Sequence, residues 1–432
     1  MQKKKNRMLL NLSMAIVLIT ALLVGCSSPA TQSASTPANS NAAVGGNDSN
    51  SEGGLYKLTQ EDVMEIYEEG IQMKYQDIHM DEAVESASLA DLELTEEEKE
   101  KIRAMDLKIA FEKDGLDDAG KWQLQGAKEI ADDLGITIAD TWIAADKTGV
   151  SQLDDFQRIE SFAQNYDAFF TLPVDLAATS EVLKKIMEKT KVGFLASAPF
   201  DLDWNHPNFV GVSDADGYMA GVYSAKAAIK IANGQGTIGK IGWVNGQNGS
   251  FHTVQKRYEG WDAVFAENPD VKVVERWYDS PVNARQVISS MLASNPDIKV
   301  LLIDFANPPA DQAQAILKER GLKPWQDIAM VTIDLDNTIT VPMATSGPDN
   351  NYTAAFVSQT WYEVGKNLIK LYAKHLLYGD EAPKFIASPP LPLTTWNNLK
   401  PSFEAAVPSN YNIPKDITDL TDQWDLGIEV QE

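Results

Sequence analysis

Leu107-Lys-Ile-Ala-Phe111 is a short apolar run that reads as a strand, and the chain after it sets the fold. A loop over 112–121 leads into a helical stretch over 122–134, which ends at Gly135, and 136–143 reads as a second strand. The same rhythm continues with a helix over 153–165, Ala168-Phe-Phe-Thr-Leu172 as a strand, a helix over 176–190 and an extended run over 192–196. After Val210-Gly-Val it restarts. Helices over 218–232, 254–268, 284–293 and 310–320 then alternate with strands over 239–244, 271–277, 300–303 and 328–333. Strands alternating with helices imply right-handed βαβ units and parallel sheets. Two successive α/β units of similar size are therefore expected, alike in architecture but without a sequence repeat.

Upstream, Thr59-Gln-Glu-Asp begins like a helix cap, and Val63, Ile66, Tyr67 and Ile71 follow at helical spacing. With Thr95-Glu-Glu-Glu-Lys-Glu-Lys-Ile it makes a small helical extension over 55–105, and its acidic run over 96–100 reads as a solvated helix face. Residues 27–54 are Ser, Ala, Asn, Gly, Thr and Pro with almost nothing large and apolar, so they cannot bury enough surface to fold and read as a flexible tether. The segment from Trp396 is polar and acidic with scattered Pro; it either wraps one lobe or stays loose, with 413–432 as a tail.

The first seven residues carry Lys3, Lys4, Lys5 and Arg7, and an apolar run over 8–24 ends in Leu22-Leu-Val-Gly-Cys26. A basic start, a short apolar stretch and small residues at the cut describe a secretory signal over 1–25. The run is marginal for a bilayer span, which needs about 20 apolar residues. Leu-x-Gly-Cys resembles the bacterial lipobox, which implies a lipid on Cys26 and an anchor on the extracytoplasmic face of the cell membrane; the alternative is a plain membrane anchor. Cys26 is the only cysteine, so no intramolecular disulfide forms. The net charge of −25 argues against nucleic acid or anionic lipid as partners, since both repel a negative surface.

Six stretches follow one another along the body from Leu107 to Pro392: Gln125-Gly-Ala-Lys-Glu-Ile-Ala-Asp-Asp-Leu-Gly135, Gln152 to Glu160, Leu172-Pro-Val-Asp175, Phe209-Val-Gly-Val-Ser-Asp214 with Gly217 and Gly221, Lys256-Arg-Tyr-Glu-Gly-Trp261 and Val331-Thr-Ile-Asp334. Their order and spacing carry a resemblance to the type I periplasmic-binding family, and within it to the ribose and simple-sugar receptors of ABC transporters. It implies two doubly wound parallel-sheet lobes joined by a three-segment hinge, with ligand between them. The first lobe would be 106–213 with 360–388, and the second 214–359 with 389–412, the chain crossing near Asp214, Gln359 and Ser388.

In open α/β sheets ligands sit beyond the carboxyl ends of the strands, which selects the loops where binding residues are expected. In the first loop Asp118 and Trp122 are candidates, the family's paired aromatics falling here on Ala119 and Gly120; Trp122 has packing as its second reading, and Asp118 helix capping. After the fourth strand Asp201, Asp203 and Trp204 stand where the family has Asp-Arg, with a surface loop as the competing reading. Gln255 falls on the family's ligand arginine and Arg257 on its second, more structural one. Asp304 or Asn307 takes the place of the ligand amide. Asp334 is a carboxylate able to accept two hydroxyl hydrogen bonds, or a hinge bond. Gln359 matches the hinge glutamine, and Trp361 reads as packing.

Four histidines without metal spacing, and no nucleophile elbow, Walker loop or dinucleotide fingerprint, leave no catalytic site, cofactor or metal to expect. The expected function is a monomeric, lipid-anchored receptor that delivers a sugar or similar polar solute to an ABC permease. The alternative is a sensor feeding a histidine kinase or chemoreceptor.

Overall fold

The computed structural model describes residues 54–72, 77–79, 82–115, 117–145, 149–247 and 251–428. The expected signal, Cys26 and all but the last residue of the expected tether lie outside the described residues. Two all-parallel sheets organise the rest. One has six strands in the order Phe385–Ser388, Phe209–Ala215, Lys191–Leu195, Ala168–Thr171, Lys108–Lys113 and Thr137–Ile143. The other has five, in the order Thr353–Val357, Ala329–Ile333, Ile298–Ile303, Thr237–Trp243 and Val273–Tyr278. Their central strands are continuous apolar runs such as Phe169-Phe170 and Leu301-Leu302, fully buried because helices cover both faces. In both sheets the strand that comes first along the chain lies between the second and the third. The winding reverses there, and a crevice opens at the carboxyl ends.

The chain passes between the lobes three times, and the passages bond to one another. Asp216 N donates to Ser388 O (2.8 Å), Leu391 N to Ser358 O (3.0 Å), and Phe356 and Thr394 exchange both backbone bonds. After two passages the next helix packs at once on its new lobe, at contacts closed by glycine. A Cβ on Gly365 would lie 1.9 Å from Gln123 O, and one on Gly126 would lie 2.1 Å from Tyr362 O. These glycines let helix Trp361–Tyr378 sit against helix Asp118–Asp133. Gly221 and Gly260 do the same for helices Gly217–Ala232 and His252–Glu267, at 2.1 Å from Arg257 O and 2.3 Å from Tyr218 O.

The N-terminal extension touches both lobes. Helix Gln60–Gln72 is capped by Thr59 and Asp62, whose side chains bond each other's backbone N–H, and it buries Val63 and Ile66. It lies on helix Gly217–Ala232, with Tyr67 and Tyr223 ring centroids 5.9 Å apart and Lys230 held by Asp62 and Glu65. A hairpin of Asp77–His79 with Glu82–Val84 follows, which a purely helical reading missed because strands of three residues carry no alternation to detect. Ala87 N then donates to Phe385 O of the first sheet (2.9 Å). Helix Glu96–Arg103 packs beside helix Trp361–Tyr378, and here the solvated reading of its acidic run fails for Glu98. Glu98 is buried, accepts from Lys374 Nζ (2.8 Å) and Tyr378 Oη (2.7 Å), and is held down to about 2 by those bonds.

The C-terminal segment also reaches both lobes instead of wrapping one or staying loose. Phe403 of helix Leu399–Ala406 and Tyr411 stack on each other and meet Trp122 of the first lobe edge-on, at 6.5 and 5.6 Å. Tyr411 Oη accepts from Asn337 Nδ2 of the second lobe (3.4 Å), and helix Lys415–Thr418 lies against helix Asn337–Ser346. No helix among the described residues is long and apolar enough to cross a membrane.

Candidate ligand-binding cleft

Between the lobes, at the carboxyl ends of both sheets, lies a cavity of about 550 Å³. The first lobe lines it with Lys113 and Asp114 at the end of strand Lys108–Lys113, with Asp117, Ala119, Gly120 and Gln123 at the start of the next helix, and with Leu172 and Val174 after strand Ala168–Thr171. The second lobe contributes Trp243, Phe251, Thr253 and Arg257, then Phe305 to Asn307, then Asp334 to Asp336. Trp361 closes the floor from the hinge. The loops after the first and third strands of each lobe, the switch points where ligands are expected, supply most of this lining, and Asp334 to Asp336 after the fourth strand of the second lobe and Trp361 of the hinge complete it.

Arg257 organises the second-lobe wall. Its Nη1 donates to Asp304 O and its Nη2 to Gln359 Oε1 (2.7 Å), while Nη2 lies 3.5 Å from Asp334 Oδ2. The guanidinium stands 4.8 Å from the ring centre of Phe305, a cation–π arrangement. Arg257 Nε and Gln359 Nε2 are buried with no hydrogen-bond partner among the described residues. Asp334 closes strand Ala329–Ile333 at φ 78°, a left-handed conformation that Asp tolerates better than most residues. Its Oδ1 accepts from Trp361 Nε1 (3.1 Å). Burial pushes Asp334 above the ordinary carboxylate range, opposed by Arg257 and the Trp361 N–H, and the charges of Asp117 and Asp336 add to the rise.

Asp304 sits beneath this wall, fully buried. It accepts from Tyr258 Oη (2.5 Å), Tyr278 Oη (2.9 Å) and Trp243 N (2.9 Å), and burial pushes it up to about 6. It therefore fixes the base of Trp243 and does not line the cavity. On the opposite wall, Lys113 is buried, donates to Gln123 Oε1 (2.6 Å) and pairs with Asp114 (3.2 Å). At the hinge, Thr253 Oγ1 donates to Asp214 (2.9 Å), tying the second-lobe helix to the first passage.

Of the residues singled out from sequence, Arg257, Asn307 and Asp334 line the cavity together. Gln359 lies behind Arg257 and holds it. The side chain of Asn307 donates to Asp336 (3.3 Å). Asp118 faces Lys121 and accepts from Asn337 Nδ2 across the lobes (3.3 Å), outside the lining. Trp122 is buried under Phe403 and Tyr411. Its placement follows from where the helix begins: Asp117 caps it by accepting from Gly120 N (2.8 Å), so it starts at Asp118, not at 122, and Trp122 falls on its core face. Asp201 is held by Ser180 and Lys184, and Trp204 packs on Phe209 with ring centres 4.7 Å apart and planes tilted by 38°, both apart from the cavity. Gln255 is half-buried on its helix, also outside the lining. Sequence reasoning missed the aromatic wall of Trp243, Phe251 and Phe305 and the first-lobe group of Lys113, Asp114 and Asp117. It also took Trp361 for packing, whereas Trp361 both lines the floor and bonds Asp334. The signal for all of these but Trp361 was their place at the carboxyl end of a switch-point strand or in the loop that follows it.

Residues 117–381 match the model of the periplasmic binding protein domain family. No curated protein matches the chain. Among solved structures, an ABC transporter solute-binding protein from Agrobacterium vitis with bound allitol is 18% identical, with a TM-score of 0.57 over 69% of this chain and 98% of that one. A periplasmic ribose ABC transporter protein from Conexibacter woesei is 17% identical, TM-score 0.58, covering 69% and 95%. The arabinose transporter's periplasmic binding protein from a Shewanella species, bound to L-arabinofuranose, is 20% identical, TM-score 0.57, covering 69% and 94%. At these identities the likeness is one of fold.

Proposed function

The chain belongs to the periplasmic binding protein domain family, and on that premise we propose that it is an extracellular receptor that captures a sugar or similar polar solute between its lobes and delivers it to an ABC importer. The observation that carries the reading is the cavity at the two facing switch points, where aromatic rings on one wall oppose carboxylates, an amide and a lysine on the other. Rings suit the C–H face of a sugar, and charged or amide groups suit its hydroxyls. Solved relatives carrying allitol and L-arabinofuranose support the same ligand class. Lipid on Cys26 would hold the receptor at the membrane beside a permease, with the segment over 27–54 as its tether.

A thermal-melting screen of monosaccharides, polyols and disaccharides tests the reading, because a ligand that binds only the folded state raises the melting temperature by mass action. At least one carbohydrate is expected to raise it by several degrees, and Asp334→Ala to remove that rise. A melting temperature indifferent to every carbohydrate would overturn the sugar assignment.

A further inference from the structure

We propose that the cleft takes a neutral glycoside of about two sugar rings, with its apolar face on an aromatic wall that belongs to the second lobe alone. The inference rests on the sugar-receptor reading and names the ligand's size, charge and orientation. Size comes from the cavity of about 550 Å³. A cavity of about 150 Å³ holds benzene, with its six heavy atoms; by that ratio this one holds roughly 20, against about 12 in a hexose and about 23 in a disaccharide. Further closure has little room to reduce it. The lobes already meet where Asn337 Nδ2 donates to Asp118 (3.3 Å), and Tyr411, seated on Trp122 of the first lobe, accepts from the same Asn337.

Orientation comes from the rings. Trp243 lies 6.0 Å from Phe251 and 6.4 Å from Phe305, centre to centre, and all three are half-buried cavity-lining side chains of the second lobe. Three rings at that spacing offer more than one stacking position. On the facing wall Ala119 and Gly120 bring no ring and leave space, while Lys113, Asp114, Asp117 and Gln123 offer donors and acceptors to a hydroxyl edge. Charge comes from the lining carboxylates Asp114, Asp117, Asp334 and Asp336, which outnumber Lys113 and Arg257. Such a cleft repels uronates and sugar phosphates.

Titration calorimetry of the purified full chain with cellobiose, maltose and lactose, and with glucose and galactose, tests the inference. At least one disaccharide is expected to bind ten-fold or more tighter than either of its constituent monosaccharides. Trp243→Ala and Phe305→Ala are each expected to weaken that binding at least ten-fold, while Trp243→Phe, which keeps a ring and spares the fold, retains most of it. Monosaccharides binding as tightly as the disaccharides would overturn the two-ring ligand and leave the receptor reading standing, as would unchanged disaccharide affinity in both alanine variants for the aromatic wall. Binding of no carbohydrate at all would overturn the receptor reading and this inference with it.

Discussion

Glu112 is fully buried at the end of strand Lys108–Lys113, next to the cavity-lining Lys113. It accepts from Thr171 Oγ1 (2.6 Å) and Gln152 Nε2 (3.0 Å), and Gln152 in turn bonds Leu172 O (2.7 Å) and Val174 N (2.9 Å). One buried pair of side chains thus fixes the loop that carries two cleft residues. Burial pushes the Glu112 carboxyl up to about 8. Its folded pKa lies above its ordinary value of 4.5, so its contribution to stability is full below that value and is lost as pH rises through about 8. Asp304 acts in the same sense but finishes near 6, and Glu98, held down to about 2, acts only at acid pH. Between pH 6 and 8 the melting temperature is therefore expected to fall, and Glu112→Gln to flatten that fall; an unchanged slope in the variant would contradict the assignment. Such residues are hard to read from sequence. Gln152 stood in a recognisable stretch, but the charge state of Glu112 depends on burial that only the assembled sheet creates. Asp334 and Arg257 were legible because each stands at a fixed place after a strand or in a helix turn. Phe251 stood beside the helix of Arg257 and Phe305 beside Asn307, and both passed as ordinary apolar residues, since only the folded second lobe gathers them around Trp243 into a wall.

At the scale of elements, the alternation of strands and helices was legible because fully buried strands are continuous apolar runs while their helices show a separate period. The close helix pairs were legible only as glycines at 126, 221, 260 and 365; the reason for each is a carbonyl of the neighbouring helix within 2.3 Å of where its Cβ would stand. In the terminal segments the two helices of the N-terminal extension were legible from their caps, but where either segment packs was not. Their partners are distant in sequence, as in the Glu98–Lys374 pair, 276 residues apart, and no local pattern announces such a contact. The C-terminal segment is nonetheless part of the fold, with Phe403 fully buried against Trp122 and Tyr411. Phe403→Ala should cost about 3–5 kcal/mol of unfolding free energy in denaturant titration, the ordinary range for emptying a buried phenylalanine site. A variant as stable as the parent would mean that the segment packs on nothing essential.

At the scale of the whole molecule, the three hinge passages allow one lobe to turn on the other, and the two terminal segments add ties across the same boundary. The N-terminal extension runs from helix Gly217–Ala232 of the second lobe to helix Trp361–Tyr378 of the first, and the C-terminal segment joins Trp122 to Asn337. Hinge motion in this chain therefore works against more than the three covalent passages. The two-lobed fold was implied by the order and spacing of motifs between 107 and 392; these extra ties lay outside that resemblance. The central claim is that a solute is held by both lobes at once. Amide hydrogen exchange of the full chain, with and without a carbohydrate that raises its melting temperature, tests it most directly. Added protection is expected in 113–123 of the first lobe and in 251–257, 304–307 and 334–336 of the second, together with the hinge around 358–361. Protection confined to one lobe, or lying away from these strand ends, would contradict the account.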